Sequence, residues 1–438
     1  MTRPSIDRDF ALMFMVMLTI AAGNTALQSV LPALGRSLHV ADSGVAAAFS
    51  VSALLWVIAA PLWAKRSDRQ GRKAMILVGL GGFVVSLALC GVFLAAGING
   101  LISGTAAFLA FILGRLIYGS FGAAAPPAVQ ALVAGKTSRE DRTKALTLLA
   151  SAFGLGTILG PALAPYMILP DLGPVRIGLA GPAFVGALFG LVMFTAVYRL
   201  LPDDGGSVSA EPMHGAASAY PSIGGQPSGA SVKAATAHGS EPVGYLDPRI
   251  RAWMITGLTM GHAQAMTGQA IGFLVIDRLH LAPAEALQPT GLVLIMGAGA
   301  ALLAQWGIIP LLNLDPRRLV LTGQVLAGCG LVATGLATSL YSIALGFALA
   351  SLGFGFTRPG FTAGSSLAVG PAAQGSVAGK VTSINGASFV LGPSIGVGLY
   401  ELSKPLPYLT AAAALAVTFV YAWITLRAPA APEADPVI

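Results

Sequence analysis

The chain has 438 residues, of which 55% are hydrophobic and only 10% are charged. Its mean hydropathy is +0.77 and its isoelectric point is near 9.6. A water-soluble domain cannot bury this much apolar surface, and the 55 Gly and 28 Pro residues suit packed transmembrane helices. The basic residues lie between apolar segments, where a membrane surface attracts them. Composition therefore predicts a multi-pass membrane protein that binds no nucleic acid.

Apolar segments define the organisation of the chain, because a membrane-spanning helix needs about 20 predominantly apolar residues. Twelve segments meet this length. They are residues 10–35, 43–65, 74–97, 105–134, 145–168, 178–201, 250–278, 287–312, 318–337, 340–369, 381–401 and 408–427. The first follows MTRPSIDRDF without a small-residue cleavage site, so it is expected to be a retained span. The prediction is an all-α membrane protein of twelve transmembrane helices in two pseudo-symmetric six-helix bundles.

A polar stretch, residues 202–248, separates an N-terminal half, residues 1–201, from a C-terminal half, residues 249–438. It is rich in Gly, Ser, Ala and Pro and shows no apolar periodicity. Such a composition cannot bury enough apolar area to order itself, which predicts a disordered linker that is dispensable for folding but must keep a minimum length.

The distribution of Lys and Arg predicts the orientation. With both termini in the cytoplasm, 19 of the 25 Lys and Arg residues lie on the cytoplasmic side and four on the outer side. Arg115 and Arg358 remain inside the membrane. Because cytoplasmic loops carry the excess of positive charge, this count predicts cytoplasmic termini and a cytoplasmic linker.

The two halves repeat each other. The pattern of residues 151–161 recurs at residues 383–393, an offset of 232. A second offset, of 241 residues, pairs Gln28 with Gln269. Transporters built from duplicated halves bind their substrate between the repeats, near the middle of the membrane.

A charged loop lies between the second and third segments, with the sequence Asp68-Arg69-Gln70-Gly71-Arg72-Lys73. It resembles the Gly-x-x-x-Asp-Arg-x-Gly-Arg-Lys signature of the major facilitator superfamily, with Ala64 in place of the first Gly. In that family the acid faces the positive end of a helix in the opposite half and gates the cytoplasmic side. The resemblance therefore implies gating roles for Asp68, Arg69, Gly71 and Arg72.

The fourth segment carries Arg115-Leu116-Ile117-Tyr118-Gly119, which resembles the family's Arg-x-x-Gln-Gly motif with Tyr118 in place of Gln. Arg115 lies some 15 Å into the membrane, at about 1.5 Å per residue. A charge at that depth is usually functional. The resemblance implies a role in proton coupling through a nearby carboxylate, and the alternative is an Arg held by backbone carbonyls.

The fifth segment contains Gly156, Gly160 and Pro161 in a stretch that resembles the Gly-x-x-x-Gly-Pro-x-x-Gly motif of drug:proton antiporters, with Ala164 as the last residue. Small residues at this spacing favour close helix packing, and the Pro bends the helix. The motif is associated with export and implies a gating role. A second copy at residues 392–396 is explained by the duplication.

Polar side chains on the first and seventh segments predict a wet central cavity. Asn24 and Gln28 share one helix face, as do His262 and Gln269. The alternative for each residue is an interhelical hydrogen bond without a ligand. The predicted substrate-binding residues are Asn24, Gln28, Tyr118, His262, Gln269 and Arg358.

Acids are missing at the depth of the two buried arginines. Asp277 and Glu401 come nearest, at the outer ends of their segments, and Asn24 occupies a stretch where proton-coupled exporters often carry an acid. This leaves the coupling group open and predicts an anionic or zwitterionic substrate. Pro359, next to Arg358, predicts a kink or local unwinding of its helix.

The sequence contains no motif that indicates catalytic chemistry. Cys90 and Cys329 lie in apolar segments, which predicts no disulfide. Residues 135–137 copy the end of a phosphate loop, but Gln130 replaces its first Gly. No His, Cys, Asp or Glu cluster has metal-site spacing. We expect no metal, no cofactor and no enzymatic activity.

The sequence thus predicts an inner-membrane monomer that resembles drug:proton antiporters and exports a small amphiphile, drug-like or metabolite, by alternating access in exchange for protons. A proton-coupled importer of an organic anion is the alternative, which the buried arginines suit equally well. A hypothesis from another class is a receptor without transport or an intramembrane enzyme. It would need a catalytic constellation or a large ordered soluble domain, and neither is visible in the sequence.

Overall fold

A computed structural model of the protein describes residues 4–137, 139–203, 220–223 and 241–426, without the side chains of residues 4–7, 68, 139, 140, 143 and 371. This part of the chain is almost entirely helical. Outside the helices, two isolated β-bridges pair Leu169 with Gly178 and Leu172 with Val175. The predicted all-α fold is confirmed.

Twelve long helical segments, numbered in chain order, form the described structure. They are α1 Pro4–Ser37, α2 Asp42–Gln70, α3 Arg72–Ile98, α4 Gly104–Lys136, α5 Arg139–Leu163, α6 Gly181–Leu200, α7 Arg251–Leu279, α8 Leu287–Leu312, α9 Pro316–Leu336, α10 Leu340–Leu367, α11 Gln374–Leu402 and α12 Leu406–Thr425. Within the described residues, 10 of them are long and apolar enough to cross a membrane. The other two, α7 and α11, are each 29 residues long and carry more polar side chains. The segments match the predicted spans closely.

Short polar caps fix where several helices begin. The Ser103 side chain accepts a hydrogen bond from the backbone N–H of Ala106 at the start of α4. Asp315 caps α9 in the same way, and Ser339 forms a capping box at the start of α10. Each cap satisfies a backbone N–H that has no partner within its own helix.

Prolines break some helices and not others. In α4 a 3-10 turn at Gly122–Ala124 precedes the two prolines that begin the Ala125–Lys136 portion, and in α8 a π-turn covers Leu303–Ile308. By contrast, α10 continues through Pro359 without a break. Of the two outcomes predicted beside Arg358, a kink or a local unwinding, the local unwinding is therefore not observed.

Glycines let α5 and α11 approach the first helix of their own half. A Cβ atom on Gly156 would lie 2.6 Å from the Leu18 carbonyl oxygen of α1, and one on Gly396 would lie 2.5 Å from the Met266 carbonyl oxygen of α7. In both halves the glycine motif therefore packs the fifth helix against the first, with α5 against α1 and α11 against α7.

Helices α1–α6 and α7–α12 form two bundles that meet mainly where α2 contacts α11 and where α5 contacts α8. We call the end where α1 finishes and α2 begins the Arg36 end, and the end where α4 finishes the Lys136 end. Between the halves, Tyr220–Ile223 is buried at the centre of the molecule. These four residues belong to the stretch 202–248, for which the sequence predicts a disordered cytoplasmic linker. Residues 204–219 and 224–240 lie outside the described part.

Candidate functional site

The centre of the interface between the halves contains a pair of amides. Gln28 of α1 donates from Nε2 to Oε1 of Gln269 of α7 at 2.7 Å. Both side chains are buried. The two residues are 241 positions apart, the offset that relates the repeats. The structure thus brings together two residues that the repeat offset had paired in the sequence.

Arg115 of α4 lies beside this amide pair and is fully buried, with 0% of its surface exposed. Its Nη2 donates to Oδ1 of Asn24 at 2.5 Å and to the hydroxyl oxygen of Tyr220 at 2.5 Å. The guanidinium carbon is 4.6 Å from the centre of the Tyr118 ring and 5.0 Å from that of Phe49. Ring faces attract cations, so both rings help to keep the charge buried.

The Arg115 guanidinium is nevertheless incompletely satisfied. Its Nε and Nη1 atoms have no hydrogen-bond partner among the described residues. No described carboxylate forms an ion pair with it, so the acid that the helix-4 motif implies is not found there. A buried guanidinium without an anion is costly, and it would bind an anionic or strongly accepting oxygen well.

Aromatic rings enclose the same space. Trp56 of α2 lies 5.3 Å from Tyr118 and 5.6 Å from Tyr220, measured between ring centres, and Tyr118 and Tyr220 are 5.9 Å apart. The Tyr118 hydroxyl has no hydrogen-bond partner among the described residues. Trp56 could not be predicted from the sequence, since nothing in its local sequence marks it as different from other aromatic residues in apolar segments.

Arg358 of α10 reaches the C-terminal side of the interface, where it donates to Oε1 of Gln264. Gln264 lines a cavity of about 50 Å³ together with Ile223, Phe347 and Ser351. Gln264 was not among the predicted site residues, although it lies on the same helix as Gln269 and is an amide within an apolar segment. Each half therefore supplies one buried guanidinium that donates to a side-chain amide oxygen, Arg115 to Asn24 and Arg358 to Gln264.

His262 takes a different position from the other predicted binding residues. Its Nδ1 is 2.9 Å from the Leu258 carbonyl oxygen, one turn earlier in α7. This is the bonding expected of a structural imidazole. His262 makes none of the described contacts of the central site.

The predicted gating residues lie outside the centre. Arg69 is exposed, while Arg72 is buried and extends toward Gly135 at the end of α4. Gly71 joins α2 to α3 with φ 91°, a conformation that favours glycine. The side chain of Asp68 lies outside the described part.

Pro161 and Gly160 occupy two different surfaces of α5. Gly160 packs against the backbone of α1 near Ala22, whereas Pro161 lines the 50 Å³ cavity and approaches Gly291 of α8. The motif therefore forms helix contacts within the half and across the interface.

An ionic network closes the Arg36 end. Arg36 of α1 forms ion pairs with Asp42 at 2.5 Å and with Asp277 of α7 at 2.9 Å, and the Tyr400 hydroxyl donates to Asp277 at 2.7 Å. The backbone N–H of Ser43 donates to Glu401 at 2.7 Å. These contacts connect the two halves. The sequence analysis placed the acids at this end but did not predict their partners.

Comparison with known proteins identifies relatives over most of the chain. The family model described as Major Facilitator Superfamily matches residues 13–314. The class E tetracycline resistance protein of Escherichia coli is 26% identical over 406 residues, covering 91% of this chain and 89% of that protein. Multidrug resistance protein 2 of Bacillus subtilis is 25% identical over 385 residues, covering 87% of this chain and 86% of that protein.

A solved structure has the same fold. The human organic anion transporter MFSD10 (TETRAN) aligns with a TM-score of 0.61 at 20% sequence identity, covering 96% of this chain and all of that one. At this identity the similarity establishes the fold, and it agrees with the arrangement of two six-helix bundles.

Proposed function

Because this chain belongs to the major facilitator superfamily of membrane transporters, we propose that it exports a small amphiphilic molecule across the inner membrane by alternating access, in exchange for protons. Its relatives named for tetracycline and multidrug resistance, which align over most of their length, support export of a drug-like compound or metabolite. It acts as a monomer in this proposal, since each half supplies six helices to one central site.

The observation that carries the proposal is the closed Arg36 end above a polar centre. The Arg36–Asp277 ion pair joins the halves at that end, and the Gln28–Gln269 pair joins them at the centre. In the orientation that the Lys and Arg distribution predicts, the Arg36 end faces outward and the Lys136 end faces the cytoplasm. The molecule then corresponds to a state closed to the outside, as the loading step of an exporter requires.

The chemistry of the centre favours a substrate with a negatively charged or strongly accepting oxygen. The Arg115 guanidinium is fully buried, and two of its nitrogen atoms lack a described partner. A carboxylate, phosphate or phenolate oxygen would supply the missing counter-ion. Asn24 and Gln28 would orient the remainder of the substrate through amide hydrogen bonds.

Import of an organic anion is a second candidate, and the same observation favours it, since an anion would pair with Arg115 whichever way it moves. The structural similarity to a human protein named as an organic anion transporter is compatible with this direction. In both cases the residues of the central site would play the same binding roles.

An accumulation screen distinguishes the two directions. An efflux-deficient bacterial host would express the wild type or the Arg115→Gln variant and be challenged with a panel of acidic, zwitterionic and cationic amphiphiles, with and without a protonophore. If the protein exports a compound, cells with the wild type should accumulate less of it and be less susceptible than cells with Arg115→Gln. The protonophore should abolish both differences. Higher accumulation with the wild type would support import, and equal accumulation for every compound would contradict transport of these classes.

A further inference from the structure

Part of the stretch between the halves occupies the centre of the molecule. Tyr220 is 2% exposed, Ser222 is 3% exposed and Ile223 is 8% exposed. Burial of this degree within the bundle interface means that these residues fill a site formed by helices of both halves. Their contacts define which chemical groups that site accepts.

The side chain of Tyr220 is held at both ends. Its hydroxyl oxygen accepts a hydrogen bond from Nη2 of Arg115 at 2.5 Å. Its ring meets the Trp56 ring edge to face, at 5.6 Å and an interplanar angle of 88°. An aromatic hydroxyl is therefore recognised by a guanidinium at its oxygen and by aromatic rings at its body.

The backbone after Tyr220 is held through hydrogen bonds to its peptide groups. The Pro221 carbonyl oxygen accepts from Nδ2 of Asn24 at 2.5 Å, and the Ile223 N–H donates to Oε1 of Gln28 at 2.9 Å. Ser222 adds a hydroxyl that is 3.1 Å from Nε2 of Gln28. Asn24 thus binds a carbonyl oxygen and Gln28 binds an N–H, and both of these peptide groups follow the residue that carries the aromatic hydroxyl.

The cavity that borders Ile223 is too small for a drug-sized ligand. The adjoining cavity, bordered by Ile223, has a volume of about 50 Å³. Sites for drug-sized molecules are typically about 300–1,000 Å³. A substrate that uses Arg115, Asn24 and Gln28 must therefore displace Tyr220–Ile223.

We propose that Tyr220–Ile223 is an intramolecular ligand of the transport site, and that the site is complementary to hydroxyaromatic compounds that also carry an amide. This proposal rests on the proposed function, because the displaced segment would compete with the transported molecule. Covalent attachment gives the segment a high effective concentration. The apparent affinity for substrate falls in proportion to the fraction of molecules whose site is free.

Direct binding of the peptide that matches the segment tests the proposal. The probe is radiolabelled acetyl-Tyr-Pro-Ser-Ile-amide, and the protein is the full chain in lipid nanodiscs. Tyr220→Ala removes the ring that anchors the segment, so it should bind the probe about tenfold or more tightly than the wild type, in proportion to the freed fraction. Tyr220→Phe retains the ring and loses only the bond to Arg115, so its gain should be smaller.

Tyr245→Ala is the matched control, because Tyr245 is exposed and rests on Lys380 rather than in the interface. It should bind the probe as the wild type does. A probe with Phe in place of Tyr should bind the Tyr220→Ala protein more weakly than the original probe. Equal probe affinity of the wild type and Tyr220→Ala, or no binding by either Tyr220 variant, would overturn the proposal.

Transport kinetics separate this proposal from the proposed function. For a compound that the wild type transports, Tyr220→Ala should lower KM and leave the maximal rate unchanged, the signature of a removed competitor. Transport with an unchanged KM would reject the intramolecular ligand alone. Tighter probe binding in a protein that moves no compound would reject the transport function alone.

Discussion

Gln28 and Gln269 hydrogen-bond across the interface at 2.7 Å, and Arg36 and Asp277, separated by the same 241 residues, form an ion pair at 2.9 Å. Both pairs therefore join equivalent positions of α1 and α7, the first helices of the two repeats. Gln28 and Arg36 lie about 12 Å apart along α1, at 1.5 Å per residue. The central site and the closure of the Arg36 end thus belong to one face of the same two helices.

Neutralising Asp277 should loosen the Arg36 end. Asp277→Asn removes its ion pair with Arg36 and leaves Arg36 paired with Asp42. A charge-assisted pair of this kind contributes on the order of 1–3 kcal/mol, so the state open at this end should gain roughly 5- to 150-fold in relative population.

Labelling of a cysteine at Ser50 measures that gain. Ser50 accepts a hydrogen bond from Ser394 across the interface, so it is covered while the halves are closed. Ser50→Cys in a Cys329→Ser background should react faster with a membrane-impermeant maleimide once Asp277→Asn is added. Asp171→Asn, an exposed acid in the loop between α5 and α6, is the control and should leave the rate unchanged. No acceleration by Asp277→Asn would show that the ion pair does not hold the closure.

Asp68→Asn should abolish transport while expression and substrate binding persist. The resemblance of this loop to the family signature implies that the acid meets the positive end of a helix in the other half, a contact of up to about 2 kcal/mol that biases the two states. Asp203→Asn is the matched control, since Asp203 is 87% exposed and its pair with Lys73 is a surface contact of little energetic weight. Vesicle transport and equilibrium binding would be compared. Full transport by Asp68→Asn would exclude the gating role.

Gly160→Ala should destabilise the N-terminal half. A Cβ atom at this position would collide with the Ala22 carbonyl oxygen and with Thr25 of α1. Overpacking of this kind typically costs about 1–3 kcal/mol. Gly398→Ala is the control, because a Cβ at this α11 glycine meets nothing within 4 Å. Thermal unfolding in detergent should show a lower Tm for Gly160→Ala only. Equal Tm values would mean that α1 and α5 can separate without cost.

Arg358→Ala should discriminate between acidic and neutral substrates. Its guanidinium is buried at the interface and bonded to Gln264. Losing a hydrogen bond to a charged ligand costs about 1.5–3 kcal/mol, so binding of an acidic compound should weaken about tenfold or more, and binding of its neutral amide analogue much less. Arg317→Ala, whose Arg donates to the Trp423 carbonyl oxygen outside the site, should change neither affinity. Equal losses for both ligands, or preferred transport of quaternary ammonium dyes, would reject an anionic substrate.

The helices and their grouping could be predicted from the sequence because apolar length alone determines them. The predicted span 178–201 became Gly181–Leu200, and 287–312 became Leu287–Leu312. Gln28 and Gln269 could also be paired in advance, since both are amides in apolar segments at the repeat offset. Arg36 and Asp277 share that offset, so the same comparison could have found the ion pair.

The contacts of the linking stretch could not be predicted in this way. Tyr220–Ile223 lies in a polar stretch without periodicity, and its burial depends on Arg115, Asn24 and Gln28 meeting in three dimensions. The continuity of α10 through Pro359 is another case, since the local sequence left both a kink and a local unwinding open.

Uptake into inside-out membrane vesicles tests the central claim most directly. The compound identified by the accumulation screen would be added outside vesicles whose interior is made more acidic than the medium. The wild type should concentrate it inside, the gradient should be required, and Arg115→Gln should abolish uptake while Arg317→Ala retains it. Gradient-independent uptake, uptake that survives Arg115→Gln, or accumulation only in right-side-out vesicles would contradict proton-coupled export through the central site.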